Sequence, residues 1–110
     1  MQEQTEAEWL ARLAAGERTA VFLYTPLCGT CKAAGRMLDV IANLPSGIEV
    51  ERLNINFAPR LAQMYKVESV PCLLTIEDGQ PPRKLYAFES VQHVYRFLAP
   101  FIRQLREKRH

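Results

Sequence analysis

Residues 25–31 read TPLCGTC. Cys28 and Cys31 stand two residues apart, straight after the apolar run RTAVFLYT (18–25) and straight before a segment with Met37, Leu38, Ile41 and Leu44 at helical spacing. Three readings are open for such a pair: a redox couple, half of a metal site, or two core residues that happen to be close.

The run before the cysteines is rich in β-branched and aromatic residues and apolar through its middle, which predicts a strand buried on both faces, ended by Pro26. The segment after them predicts a helix over 28–44, closed by the turn residues NLPSG. Upstream, TEAEWLARLAAG reads as an amphipathic helix. Thr5 and Glu8 form a capping-box pattern, Gly16 is a C′ stop, and Trp9, Leu10 and Leu13 make the apolar face. Downstream, IEVERLNIN (48–56) alternates as a strand, with Ile48, Val50, Leu53 and Ile55 apolar. A short helix follows from Pro59, then a strand in SVPCLLTIEDG, a turn at Asp78–Gly79, and a strand in RKLYAFE. The last helix starts at Ser90, buries Val91, Val94, Leu98, Phe101, Ile102 and Leu105, and should kink at Pro100. The order α-β-α-β-α-β-β-α, with a right-handed crossover between the first two strands and a hairpin at the end, predicts an α/β chain: one four-stranded mixed sheet flanked by helices.

A chain of 110 residues is read as a single domain, 1–110, with 48% apolar and 24% charged residues. Its net charge of +2 is too small to imply a nucleic-acid partner. The basic end RQLREKRH reads as a solvated helix terminus, where cations suit the macrodipole. No apolar run reaches membrane-spanning length, and the polar, acidic opening MQEQTEAEWL is unlike a signal peptide. The expectation is a cytoplasmic chain, where a close cysteine pair is catalytic or metal-binding rather than a structural staple.

Placement then favours the redox couple. Cys28 falls at or just before the first turn of a helix, where backbone N–H groups lack partners and the dipole is positive. A thiolate is stabilised there, and the thiolate is the nucleophile. Cys31, one turn on, lies deeper and can resolve, and Gly29 is expected to let the chain turn tightly into the helix.

With these residues in place the sequence resembles the thioredoxin family. A Cys-x-x-Cys beside a β-α-β pattern is its signature. LNIN, SVPCLL and EDG follow in the family's order, and YTPLCGTC…VESVPCLL is similar to small bacterial thioredoxin-like proteins. The resemblance covers nearly the whole chain and implies a thioredoxin fold lacking the first strand of full-length members. It implies thiol–disulfide exchange with a disulfide-containing protein or a low-molecular-weight thiol, without a cofactor. It also implies an unidentified reductant such as a thioredoxin-reductase-like flavoenzyme. Cys28 would be the nucleophile, Cys31 the resolving thiol, and Leu27, Gly29 and Thr30 the supporting loop. Val70 and Pro71, joined by a cis bond, would line the substrate groove.

Departures from the family pattern carry their own expectations. Leu27 stands where thioredoxins usually carry Trp, Thr30 where they carry Pro, Phe22 where they bury an Asp, and Arg52 where they often have Lys. Resolution of mixed disulfides should be slower, and the couple less reducing than thioredoxin's roughly −270 mV. Cys72 reads as a small buried hydrophobe, or more sharply as a second resolving thiol or metal ligand. Tyr24 is close enough to line the site, Glu51 and His93 read as solvated, and His110 is terminal. Two alternatives stand beside the enzyme: a thioredoxin-fold binding module, and a zinc or [2Fe–2S] binder, for which only one Cys-x-x-Cys exists.

Overall fold

Thr5 and Glu8 cap each other, and a helix starts between them. In the computed structural model, which describes residues 4–107, Thr5 Oγ1 accepts the Glu8 N–H and Glu8 Oε1 accepts the Thr5 N–H, both at 3.1 Å. Helix α1 (Glu6–Ala14) ends at Ala15, and Gly16 follows at φ +80°, a left-handed conformation that favours glycine. Trp9 is buried, with Leu10 and Leu13 packed beside it. His110 and the last basic residues lie outside the described residues.

Strand β1 (Thr19–Tyr24) is buried through Leu23, as a strand covered on both faces should be. Helix α2 (Gly29–Ala42) follows, then strand β2 (Glu51–Asn54). β2 is shorter than the alternation over 48–56 suggests. Asn54 Oδ1 accepts the Asn56 N–H at 3.0 Å, and that side-chain turn diverts residues 55–57 into a 3-10 turn. Helix α3 (Pro59–Met64) leads to strand β3 (Cys72–Ile76). A turn with Gly79 at φ +71° joins β3 to strand β4 (Arg83–Leu85). β4 is also shorter than RKLYAFE suggests, because Ser90 N–H bonds back to Phe88 O across a left-handed Glu89 (φ +61°). Ser90 Oγ then accepts the His93 N–H at 3.1 Å, and helix α4 (Val91–Glu107) runs on through Pro100 without a break.

The strands lie in the order β2-β1-β3-β4. β1 pairs parallel with β2, from Val21↔Glu51 to Tyr24↔Asn54, and antiparallel with β3, from Thr19↔Ile76 to Leu23↔Cys72. β4 closes the hairpin against β3. Successive side chains of a strand point to opposite faces. Phe22 and Leu73 therefore join α2 and α4 (Cys31, Leu38, Ile41, Val94, Leu98) in one core layer. Val21, Leu23, Cys72 and Leu74 join α1 and α3 (Trp9, Leu61) in the other. No helix among the described residues is long and apolar enough to cross a membrane.

Candidate active site

The site is made where β1 hands the chain to α2. The Cys28 N–H donates to Thr25 O at 3.3 Å, which fixes a turn after the strand. Cys28 is then the N-cap of α2 (φ −92°, ψ 111°), and its sulfur takes the role a Ser or Asp side chain usually plays, accepting the Cys31 N–H at 3.1 Å. Thr30 Oγ1 lies 3.2 Å from the same sulfur. Cys28 and Cys31 are joined as a disulfide with Cα atoms 5.1 Å apart. Cys28 is half-buried, whereas Cys31 is 3% exposed and belongs to the α2/α4 core layer. The pair is thus asymmetric: one sulfur at the surface on a helix N-terminus, the other beneath it.

Gly29 does not do what the sequence suggests. It is the first residue of α2, has no left-handed φ, and a Cβ built on it meets nothing within 4 Å. The sharp entry into the helix comes from the Thr25–Cys28 turn instead. Leu27 is 98% exposed beside Cys28. The Val70–Pro71 peptide bond is cis. Because Cys72 pairs with Leu23, Pro71 sits at the level of the last residue of β1, at the same end of the sheet as the cysteines.

Cys72 corrects the sharper expectation. Strand alternation turns it into the α1/α3 layer, on the opposite side of the sheet from Cys31, where it is fully buried. Burial pushes its thiol up to about 11. It is therefore neither a second resolving thiol nor a third ligand for the pair. Among the described residues no three His, Cys, Asp or Glu side chains are grouped to hold a metal.

Phe22 is 2% exposed and shares its core layer with Cys31. Tyr24 stacks on it (centroids 5.8 Å apart, planes 17° apart). Arg52 reaches over from β2. Its Nη2 donates to Gly35 O at 3.2 Å and to the Asp39 carboxylate, and the guanidinium stands 5.9 Å from the Phe22 ring centre. So an aromatic ring with a cation near it lies where the family resemblance puts a carboxylate. Gly35 and Asp39 were not singled out by sequence reasoning. Gly35 makes room for this arrangement, since a Cβ there would lie 3.2 Å from Arg52 Nη1. Its one sequence signal is a glycine inside a helix, which costs stability unless something needs the space. His93 Nε2 lies 3.3 Å from a Glu89 carboxylate oxygen, and Glu51 is held in a two-pronged contact with Arg12.

A mixed sheet between helices, with a Cys-x-x-Cys disulfide where an inner strand feeds a helix, defines a thiol–disulfide oxidoreductase. The chain belongs to the thioredoxin family: that family's model, described as Thioredoxin, matches residues 1–102. It is 38% identical over 78 residues to the thioredoxin-like protein YusE of Bacillus subtilis (strain 168), covering 71% of this chain and 74% of that protein. It is 29% identical over 91 residues to thioredoxin of Staphylococcus aureus, covering 82% and 86%. Among solved structures, a mutant thioredoxin from Halobacterium salinarum NRC-1 superposes with a TM-score of 0.69 at 18% identity, over 93% of this chain and 88% of that one, a likeness of fold.

Proposed function

We propose that this protein is a cytoplasmic protein disulfide reductase in which Cys28 attacks and Cys31 resolves. The observation that carries the reading is the asymmetry of the pair: the Cys28 sulfur half-buried at the N-cap, accepting the Cys31 N–H at 3.1 Å, with Cys31 buried below it. In the reduced protein that N–H and the positive end of α2 favour the Cys28 thiolate. The thiolate attacks a substrate disulfide. One substrate sulfur leaves as a thiolate, and Cys28 is held in a mixed disulfide. Cys31 then attacks the Cys28 sulfur, closing the intramolecular disulfide and releasing the second substrate thiolate. Leu27 and the Val70–Pro71 step flank Cys28 and form the groove for the substrate chain, with the Val70 backbone open to strand-like pairing. A thioredoxin-reductase-like flavoenzyme or a small thiol returns the electrons.

Phe22 supports a second reading. With a ring in place of a buried carboxylate near Cys31, no carboxylate at that position takes the proton of the resolving thiol, and turnover is slow. At the limit, the groove binds partners without cycling. Insulin separates the readings. The reductase turns over insulin disulfides, more slowly than a thioredoxin with the buried Asp. Cys28→Ser abolishes this, and Cys31→Ser accumulates a disulfide-linked insulin chain. If the wild type does not reduce insulin and the Cys31→Ser variant captures no chain, the reductase is ruled out and the binding module is left.

A further inference from the structure

The disulfide has two flanks. In the order β2-β1-β3-β4, Pro71 precedes β3 on one side of β1, and Arg52 lies on β2 on the other. On the β2 flank a pocket of about 390 Å³ lies between α2 and the sheet. Phe22 and Tyr24 give it an apolar lining, and Thr25 and Pro26 carry that lining to the turn that holds the Cys28 N–H. Its charge comes from Lys32 and Arg36, one turn apart on the exposed face of α2, and from Arg52. Against three cations it has the single carboxylate of Asp39, which Arg52 already holds. The first turn of α2 has no acidic residue to offset the positive end of the helix dipole. Among the described residues neither Lys32 nor Arg36 has an ion-pair partner. Two like charges at this spacing repel each other, and an anionic ligand relieves that repulsion. A cleft lined by one sign of charge also concentrates ligands of the other.

We propose that this pocket receives the carboxylate of an acidic side chain on the substrate protein, so that Lys32 and Arg36 select cysteines with Asp or Glu close by in sequence. The inference rests on the reductase reading of the Cys28–Cys31 pair and names the class of substrate. Exchange stays at Cys28. Its thiolate bonds to the substrate cysteine's sulfur, the other substrate sulfur leaves as a thiolate, and the pocket adds no step of its own. It holds the chain while that step occurs. The spacing sets the reach. Lys32 and Arg36 follow Cys28 by four and eight residues, which at about 1.5 Å of rise per residue is about 6 and 12 Å along α2. An extended chain covers about 3.3–3.6 Å per residue, so a carboxylate about two to four residues from the reacting cysteine spans that distance. With the substrate chain in the groove beside Val70 and Pro71, the pocket lies across Cys28 from it. Arg52 is committed to Asp39 and Gly35, which leaves the two α2 cations to bind. A free anion meets the same cations. Attachment to the reacting chain is what turns that binding into selectivity.

The test uses symmetrical disulfides of short peptides with one cysteine per chain. Glu, Gln or Lys stands three residues before the cysteine in one set and three after it in the other. Protein reduced with dithiothreitol and freed of it is mixed with each peptide. Each rate is divided by the rate at which dithiothreitol reduces the same peptide, which removes differences in intrinsic reactivity. Expected in at least one set is an advantage of about tenfold for Glu over Gln, at the low end of what a charged cleft gives. Lys is slower than Gln, and the spread shrinks with added salt. The Glu-to-Gln ratio falls close to one in Lys32→Gln/Arg36→Gln. Arg103→Gln/Arg106→Gln removes the same charge from exposed positions near the C-terminal end of α4 and leaves the ratio as it was. On the unaltered protein, succinate at constant ionic strength slows the Glu disulfide and not the Gln disulfide, which decides the matter even if the α2 variant folds poorly. A ratio within twofold of one in both sets, an equal fall in the α4 variant, or succinate acting on both disulfides alike overturns the pocket proposal. If the protein reduces none of the peptides, the reductase reading falls and the pocket proposal with it. If it reduces them all alike, the reading stands and only the pocket is lost.

Discussion

At Cys28 one of the departures from the family pattern is a hydroxyl. Thr30 Oγ1 is 3.2 Å from the Cys28 sulfur and can donate to the thiolate once the pair is reduced. The proline usual at that position has no donor. A hydrogen bond to a charged group contributes about 1.5–3 kcal/mol when buried and less at an exposed site. For a two-electron couple about 1.4 kcal/mol is 30 mV. Stabilising the reduced form makes a couple more oxidising, so Thr30→Val should move the potential about 20 mV toward more reducing values, read by equilibration against a glutathione buffer. A potential unmoved by the substitution would show that the hydroxyl does nothing for the thiolate. Cys72 makes the opposite case, a thiol that burial silences. Its folded pKa of about 11 lies above the ordinary thiol value of 9.0. The folded protein holds that proton where the unfolded chain loses it, so the stabilisation is complete below about pH 9 and is lost as pH rises through 11. Iodoacetamide at about pH 8 should label the reduced Cys28 and leave Cys72 untouched until the chain unfolds. Urea midpoints should fall between about pH 9 and 11, and a Cys72→Ala variant should lack that part of the decline.

At the scale of elements, α3 shows what local sequence cannot supply. It has six residues, and its N-cap, Ala58, has no side-chain acceptor. The acceptor comes from α1: Glu6 Oε2 takes the N–H of Arg60 at 2.7 Å and of Leu61 at 3.1 Å. A carboxylate at a helix N-terminus also suits the dipole. Removing it with Glu6→Ala should cost about 1–2 kcal/mol in a urea melt, the usual range for a lost cap, and Glu6→Gln, which keeps an acceptor oxygen, should cost less. Equal losses for the two substitutions would mean that the charge, and not the hydrogen bonds, is what matters. The contact spans more than fifty residues, so no spacing rule announces it. The same limit explains what was legible elsewhere. The helix caps at Thr5 and Ser90, the apolar faces and the order of elements along the chain follow from patterns a few residues long, and so does the position of Cys28 at a helix start. The ends of β2 and β4 did not, because an Asn54 side-chain turn and a left-handed Glu89 override the alternation. Nor could the face taken by Cys72 be read, since it depends on pairing with Leu23 far away in sequence. The Arg52–Gly35–Asp39 contacts join β2 to α2 and were invisible for the same reason.

At the scale of the whole molecule the sheet divides the core into two layers that share strands and little else. Ile41 of α2 is fully buried in the layer that holds Cys31, and Leu61 of α3 is fully buried in the layer that holds Cys72. Each substitution should cost lost transfer energy and the space left behind, in the range usual for its type: about 0.5–1.5 kcal/mol for Ile41→Val and about 2–5 kcal/mol for Leu61→Ala. Sites that share no partners add within roughly 0.5 kcal/mol, and sites coupled through packing do not. The double variant should therefore lose the sum of the two single losses in denaturant unfolding, with an unchanged dependence on urea concentration. Additivity would mean that β1 and β3 act as a rigid partition, so that repacking beneath α1 and α3 leaves the cysteine layer as it was. The redox potential of the Leu61→Ala protein should then match the wild type. A coupling above about 1 kcal/mol, accompanied by a shifted potential, would mean that strain crosses the sheet. In that case the α1/α3 layer, though on the far side of the sheet from Cys31, would also help to set the potential of the pair.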